Sequence, residues 1–187
     1  MSVRISYGFC AMICLLGWLD EKLCFWFLVA GAIHELGHVL YLTVRAIPIT
    51  GFTLRASGAV LQVPQLSYGQ EAFAAAAGPV ASLLLGLILL RWAPKGAIVS
   101  FLLGGINLLP LYPLDGGRIL RAILFRLLPP ERAERWMLVV NPVICCGLML
   151  VACWITVALQ GGIWPIFAAL VLLWRVGTKE KQLLFHR

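Results

Sequence analysis

Charge is what this chain has least of. Only 12% of its 187 residues are Asp, Glu, Lys or Arg, and 61% are apolar. Ordinary soluble domains carry about 25% charged and about 45–50% apolar residues. That balance excludes a soluble globular enzyme and points to a polytopic membrane protein in a single domain, residues 1–187. Acidic residues number eight and histidines three, so few groups are available for acid–base or metal chemistry. The six cysteines, at 10, 14, 24, 145, 146 and 153, all lie in apolar segments and form no CxxC pair. They read as small buried hydrophobes, with no disulfide and no metal role. The net charge of +7 comes from residues in loops without an interleaved aromatic platform. It reads as membrane topology, and no nucleic-acid partner is expected.

What is abundant is apolar run. Segments 5–18, 23–44, 68–91, 97–114, 137–159 and 163–176 read as six spans, the first and last short for about 30 Å of hydrocarbon. The first follows Arg4 and is expected to be retained, because Trp18-Leu19-Asp20 offers no small-residue cleavage site. Between spans two and three, 50–64 is rich in β-formers around Ser57-Gly58 and predicts a β-hairpin or sheet edge. The fourth span runs into a stretch with Pro110, Pro113, Gly116 and Gly117, which predicts a broken helix. Residues 119–128, with arginines at 118, 121 and 126, predict an amphipathic interfacial helix that Pro129-Pro130 ends. With six spans and both termini inside, twelve of the fifteen basic residues fall on one side, leaving Lys22, Arg91 and Lys95 on the other. The positive-inside rule then sets the termini and the opening of any site near Asp115 on the cytosolic side; a bacterial cell membrane is the expected location.

One pentapeptide stands out: His34-Glu35-Leu36-Gly37-His38, where Glu35 is the only formal charge between Phe25 and Val44. On a helix the two imidazoles lie one turn apart on one face and can reach a single Zn²⁺, with Glu35 beside them as general base. Ionisable groups within a span are expensive and are usually kept for function. A catalytic zinc takes three protein ligands and keeps one open position. The only other histidine, His186, lies in the polar tail. Asp20 and Glu21 belong to the opposite side, and Glu131 and Glu134 to a charge-rich loop. Glu71, at the start of the third span, competes with Asp115. Asp115 is preferred because it sits in the helix break among apolar residues, although it would also suit capping a helix that begins at Gly116.

His34-Glu35-Leu36-Gly37-His38 together with Asn107, Pro110 and Pro113-Leu114-Asp115-Gly116-Gly117 resembles the site-2 protease family of intramembrane zinc metalloproteases, of the stage IV sporulation protein FB type. The resemblance implies one zinc per chain on His34, His38 and Asp115, Glu35 as catalytic base, and substrate handling by Asn107 and Pro113. Gly78-Pro79 resembles the family's third-span signature. Neither the PDZ nor the CBS domain common in the family is recognisable. The implied activity is hydrolysis of a peptide bond in or beside a membrane segment, as in regulated intramembrane proteolysis. The implied substrate is a membrane-associated protein such as a transcription-factor precursor or an anti-sigma factor. A regulatory membrane partner or a homo-oligomer would suit the same family. Still open on the residues alone are a zinc protease with Glu71 as third ligand, and a membrane zinc-binding protein without protease activity, whether transporter, sensor or scaffold.

Overall fold

The computed structural model describes residues 2–55 and 58–158, with positions 166, 169, 170 and 173. The expected sixth span at 163–176 is described at those four positions alone, all helical, and the basic tail and His186 lie outside the described residues. The order of elements is β1 (Ser2–Ile5), α1 (Tyr7–Leu19), α2 (Glu21–Val44), β2 (Gly51–Arg55), β3 (Gly58–Gln62), α3 (Tyr68–Leu89), α4 (Pro94–Asn107), α5 (Asp115–Leu127) and α6 (Pro130–Ala158). The all-α expectation with a small β element holds. Of the described helices, α2, α3 and α6 are long and apolar enough to cross a membrane, and α1 is a shorter apolar helix. The chain divides into two compact units, residues 1–109 and 110–187.

In the first unit the helices start and stop on local signals. Asp20 caps α2, its carboxylate accepting from the backbone N–H groups of Lys22 and Leu23. Leu23 N–H, then Lys95 across the α3–α4 turn, hold that carboxyl below its ordinary range. At the other end of α2, Ala46 takes φ 53°. Ala46 N–H returns to the Thr43 carbonyl and Ile47 N–H to that of Leu42, a Schellman arrangement that satisfies the last carbonyls. Ser67 and Gln70 form a reciprocal capping box at the start of α3.

Interior and exterior are sorted by size. The buried stripe of α2 recurs every four residues at Ala30, His34, His38 and Leu42. That of α3 does the same at Ala74, Gly78, Ser82 and Gly86. Leu36, Leu40, Leu84 and Ile88 face outward. Small residues inside and large apolar residues outside suit helices that associate by close approach in lipid. Gly37 lies where a Cβ would come within 2.5 Å of the Ala77 carbonyl oxygen, so α2 and α3 nearly touch backbones. Gly86 similarly admits the Phe101 ring of α4.

The hairpin expected at 50–64 is present, β2 pairing antiparallel with β3 from Gly51↔Gln62 to Arg55↔Gly58. Nothing in the local residue pattern signals that β1 adds to it. Ser2–Ile5, of which only Ile5 belonged to the expected first span, pairs parallel with β2, with Val3 opposite Phe52. β2 is therefore central, and the free edges among the described residues belong to β1 and β3.

The broken helix is confirmed: α4, in the first unit, stops at Asn107, and α5, in the second, starts at Asp115. The intervening strap has Leu111 fully buried and a cis Tyr112–Pro113 bond. One expectation is corrected. Glu131 and Glu134 are not in a loop, because Pro130 opens α6 and they occupy its first turns. Proline is at home in the first turn of a helix, where its missing N–H costs nothing. Pro129-Pro130 thus ends one helix and starts the next.

Candidate metal centre

α2 and α3 together build a pair of fixed imidazoles. His34 and His38 are both buried, and their Nε2 atoms are 3.3 Å apart with the rings at 79°. Each Nδ1 has its own partner on α3. His38 Nδ1 lies 2.7 Å from the Ala74 carbonyl oxygen, and His34 Nδ1 lies 2.9 Å from Ser82 Oγ. A carbonyl only accepts, so the neutral His38 ring carries its proton on Nδ1 and turns a lone pair outward from Nε2. This is how metal-ligating histidines are oriented, one nitrogen held by the protein and the other facing the ion.

The spacing of the pair tests the fit. Two nitrogens about 2.0–2.1 Å from one tetrahedral zinc would be about 3.3–3.4 Å apart. The observed separation agrees. Gly78 explains how the ring reaches its place. It sits one turn beyond Ala74 on the same face of α3, and a Cβ there would overlap the His38 imidazole. The Gly78-Pro79 pair therefore does more than allow packing. Ser82, one turn further on, was missed by the sequence reading. The available signal was a lone hydroxyl in an apolar span, four residues beyond Gly78. Ser82 Oγ is fully buried.

Glu35 follows His34 in the same turn of α2 and is half-buried. Asn107 ends α4, where one amide N–H of Nδ2 donates 2.9 Å to the Leu103 carbonyl of its own helix. Glu71, the competing ligand, is half-buried in the first turn of α3.

In the second unit Asp115 is buried at the first position of α5. The capping role considered for it does not hold. Leu114 occupies the N-cap position and no side chain caps the helix. Asp115 instead meets Arg118 one turn later, at 3.4 Å and only partly buried. A carboxylate at a helix N-terminus is also favoured by the peptide dipoles. Gly116 and Gly117 are buried behind it, and a Cβ on Gly117 would overlap the backbone of Leu111 and Tyr112. Pro113 is half-buried in that strap. Asp115 is thus a buried carboxylate, an oxygen donor of the kind zinc accepts beside imidazoles.

Residues 90–148 match the model of Peptidase family M50, a stretch that holds Asp115 but not the His34–His38 pair. A zinc metalloprotease of Methanocaldococcus jannaschii is 33% identical over 109 residues, covering 51% of this chain and 32% of its own length. A putative zinc metalloprotease of Synechocystis is 34% identical over 128 residues, covering 60% of this chain and 33% of its own. Stage IV sporulation protein FB of Bacillus subtilis is 35% identical over 69 residues, 36% of this chain and 23% of its own. The chain thus spans about a third or less of the curated relatives it matches. Among solved structures, the site-2 protease from Methanocaldococcus jannaschii superposes with a TM-score of 0.68 at 23% identity, covering 95% of this chain and 91% of that one. The likeness expected from the two motifs is borne out: the chain is similar in sequence to M50 zinc metalloproteases, and its fold is that of a site-2 protease.

Proposed function

We propose that this protein is a zinc metalloendopeptidase that cleaves a peptide bond in or near a membrane segment of a protein substrate. Its ligands are His34, His38 and Asp115, and its base is Glu35. The observation that carries the reading is the imidazole pair, two Nε2 atoms 3.3 Å apart with each Nδ1 tied to α3. Zinc, when bound, supplies a Lewis acid that lowers the pKa of water and polarises a carbonyl.

The remaining work falls to the chain. Glu35 takes a proton from the attacking water and returns it to the leaving amine. Asn107 orients the substrate backbone through its amide, and Pro113 shapes the strap beside Asp115. A transmembrane helix hides its peptide bonds in its own hydrogen bonds, so the substrate must unwind before attack. An extended chain can then add to a free sheet edge. The central position of β2 moves that role to β3. The substrate class is a membrane-tethered precursor, such as a transcription-factor precursor or an anti-sigma factor. Termini and opening face the cytosol by the distribution of basic residues.

The test is cleavage of a tethered membrane-segment substrate in proteoliposomes, with zinc content measured on the same samples. Glu35→Gln keeps about one zinc per chain and loses 10²-fold to 10⁴-fold in rate, the usual worth of a positioned base. Asp115→Ala loses zinc. Full cleavage by Glu35→Gln removes the base assignment. Unchanged zinc in Asp115→Ala sends the third-ligand role to Glu71. A wild type that binds zinc but cleaves nothing would favour the sensor or scaffold reading.

A further inference from the structure

Asn141 is a buried amide in the interior of the long helix α6. It is followed by Pro142, which cannot donate to the Leu138 carbonyl. Nothing in the proposed chemistry uses it. Its side chain leaves α6 and accepts, through Oδ1, the backbone N–H of Tyr112 at 3.1 Å. That N–H belongs to the strap between α4 and α5. A backbone donor outside regular structure and away from water needs a partner, and Asn141 supplies it from a neighbouring helix.

The strap is held from three sides. Leu111 and Leu114 are buried, and Leu114 N–H returns to the Leu111 carbonyl at 2.8 Å. Gly117 lets the first turn of α5 lie directly on the backbone of Leu111 and Tyr112. The amide of Asn141 fixes Tyr112 itself. Three residues after Tyr112 the strap delivers Asp115 to the start of α5.

We propose that Asn141 is a positioning residue for Asp115: its Oδ1···H–N bond to Tyr112 sets the register of the strap and hence the direction of the carboxylate. The inference rests on the ligand role given to Asp115 above. It explains why an apolar span keeps a buried amide at this position, where leucine would suit lipid and helix better. Partners that orient metal ligands typically contribute 10-fold to 100-fold in metal affinity.

The experiment is a zinc competition titration against a chromophoric chelator on the full chain in detergent, with thermal unfolding of the zinc-free protein run in parallel. Asn141→Leu removes the acceptor and weakens zinc 10-fold to 100-fold. Asn141→Asp keeps an acceptor oxygen and stays within about threefold of wild type, a rescue that loss of bulk packing would not give. Gly117→Ala pushes the strap from its other side and weakens zinc as well, which decides the matter should Asn141→Leu fail to fold. Wild-type affinity in Asn141→Leu or in Gly117→Ala overturns the proposal. So does an Asn141→Asp as weak as Asn141→Leu. If the wild type itself holds no zinc, the metalloprotease reading fails instead, and the two failures are distinguishable.

Discussion

Adding a single methyl group at Gly78 should separate helix stability from metal binding. Gly78→Ala favours helix by about 1 kcal/mol in an interior position. The new Cβ would lie 2.5 Å from Cε1 and 2.8 Å from Cδ2 of His38. Ordinary contacts are about 3.5–4.0 Å, so the ring must retreat by about 1 Å or turn away. Retreat breaks its 2.7 Å bond to the Ala74 carbonyl and opens the 3.3 Å Nε2 pair. Overpacking costs about 1–3 kcal/mol, which the helix gain partly offsets. The zinc-free protein should therefore melt within a few degrees of wild type. Zinc should fare far worse, because one ligand and its orienting bond are lost together. At least a hundredfold weakening is expected, about 2.7 kcal/mol. Chelator competition in detergent reads the affinity, and scanning calorimetry of the metal-free protein reads the stability. A Gly78→Ala protein with wild-type zinc affinity would refute the account of the His38 ring and the fit of the imidazole pair to a metal.

Two further outcomes follow from the same geometry. Ser82→Ala leaves His34 Nδ1 without its 2.9 Å partner and should weaken zinc about tenfold, with Ser82→Thr restoring most of it, as measured by the same titration. The Asp20 carboxyl is held below its ordinary value chiefly by Leu23 N–H. Its contribution is thus present above the unfolded value of about 3.9 and is lost as pH falls through the lower folded value. Asp20→Asn, which still caps, should lose less thermal stability than wild type between about pH 5 and pH 3.

The parts of this molecule legible in its sequence are those governed by nearest neighbours. His34 and His38 share a face because a helix repeats every 3.6 residues, and the apolar run around them made the helix certain. The break between α4 and α5 was legible because proline and glycine act locally. What escaped the sequence depends on distant segments. β1 forms only because β2 offers an edge 49 residues later, as Ser2 pairs with Gly51. Ser82 becomes a partner of His34 only once α3 lies against α2. Asn141 is just a polar residue in an apolar span until the strap is folded beside it. The loop expected at Glu131 and Glu134 failed for a different reason: the dipeptide Pro129-Pro130 that stops one helix also opens the next, and only the second proline's position in α6 tells the two roles apart.

The parallel pairing of β1 with β2 carries a constraint on membrane crossing. Two hydrogen-bonded strands cannot sit on opposite sides of a bilayer, so the chain between them crosses an even number of times. Only α1 and α2 lie between them. If α2 crosses, α1 crosses too, and Arg4 and Arg55 share a side whichever side that is. Yet α1 has 13 residues, which rise only about 20 Å against about 30 Å of hydrocarbon. A span that short is matched by local compression of the bilayer or by flanking side chains that reach back to the interface. With such a crossing, the few hydrogen bonds that join β1 to β2 would tie the lipid around α1 to that mismatch.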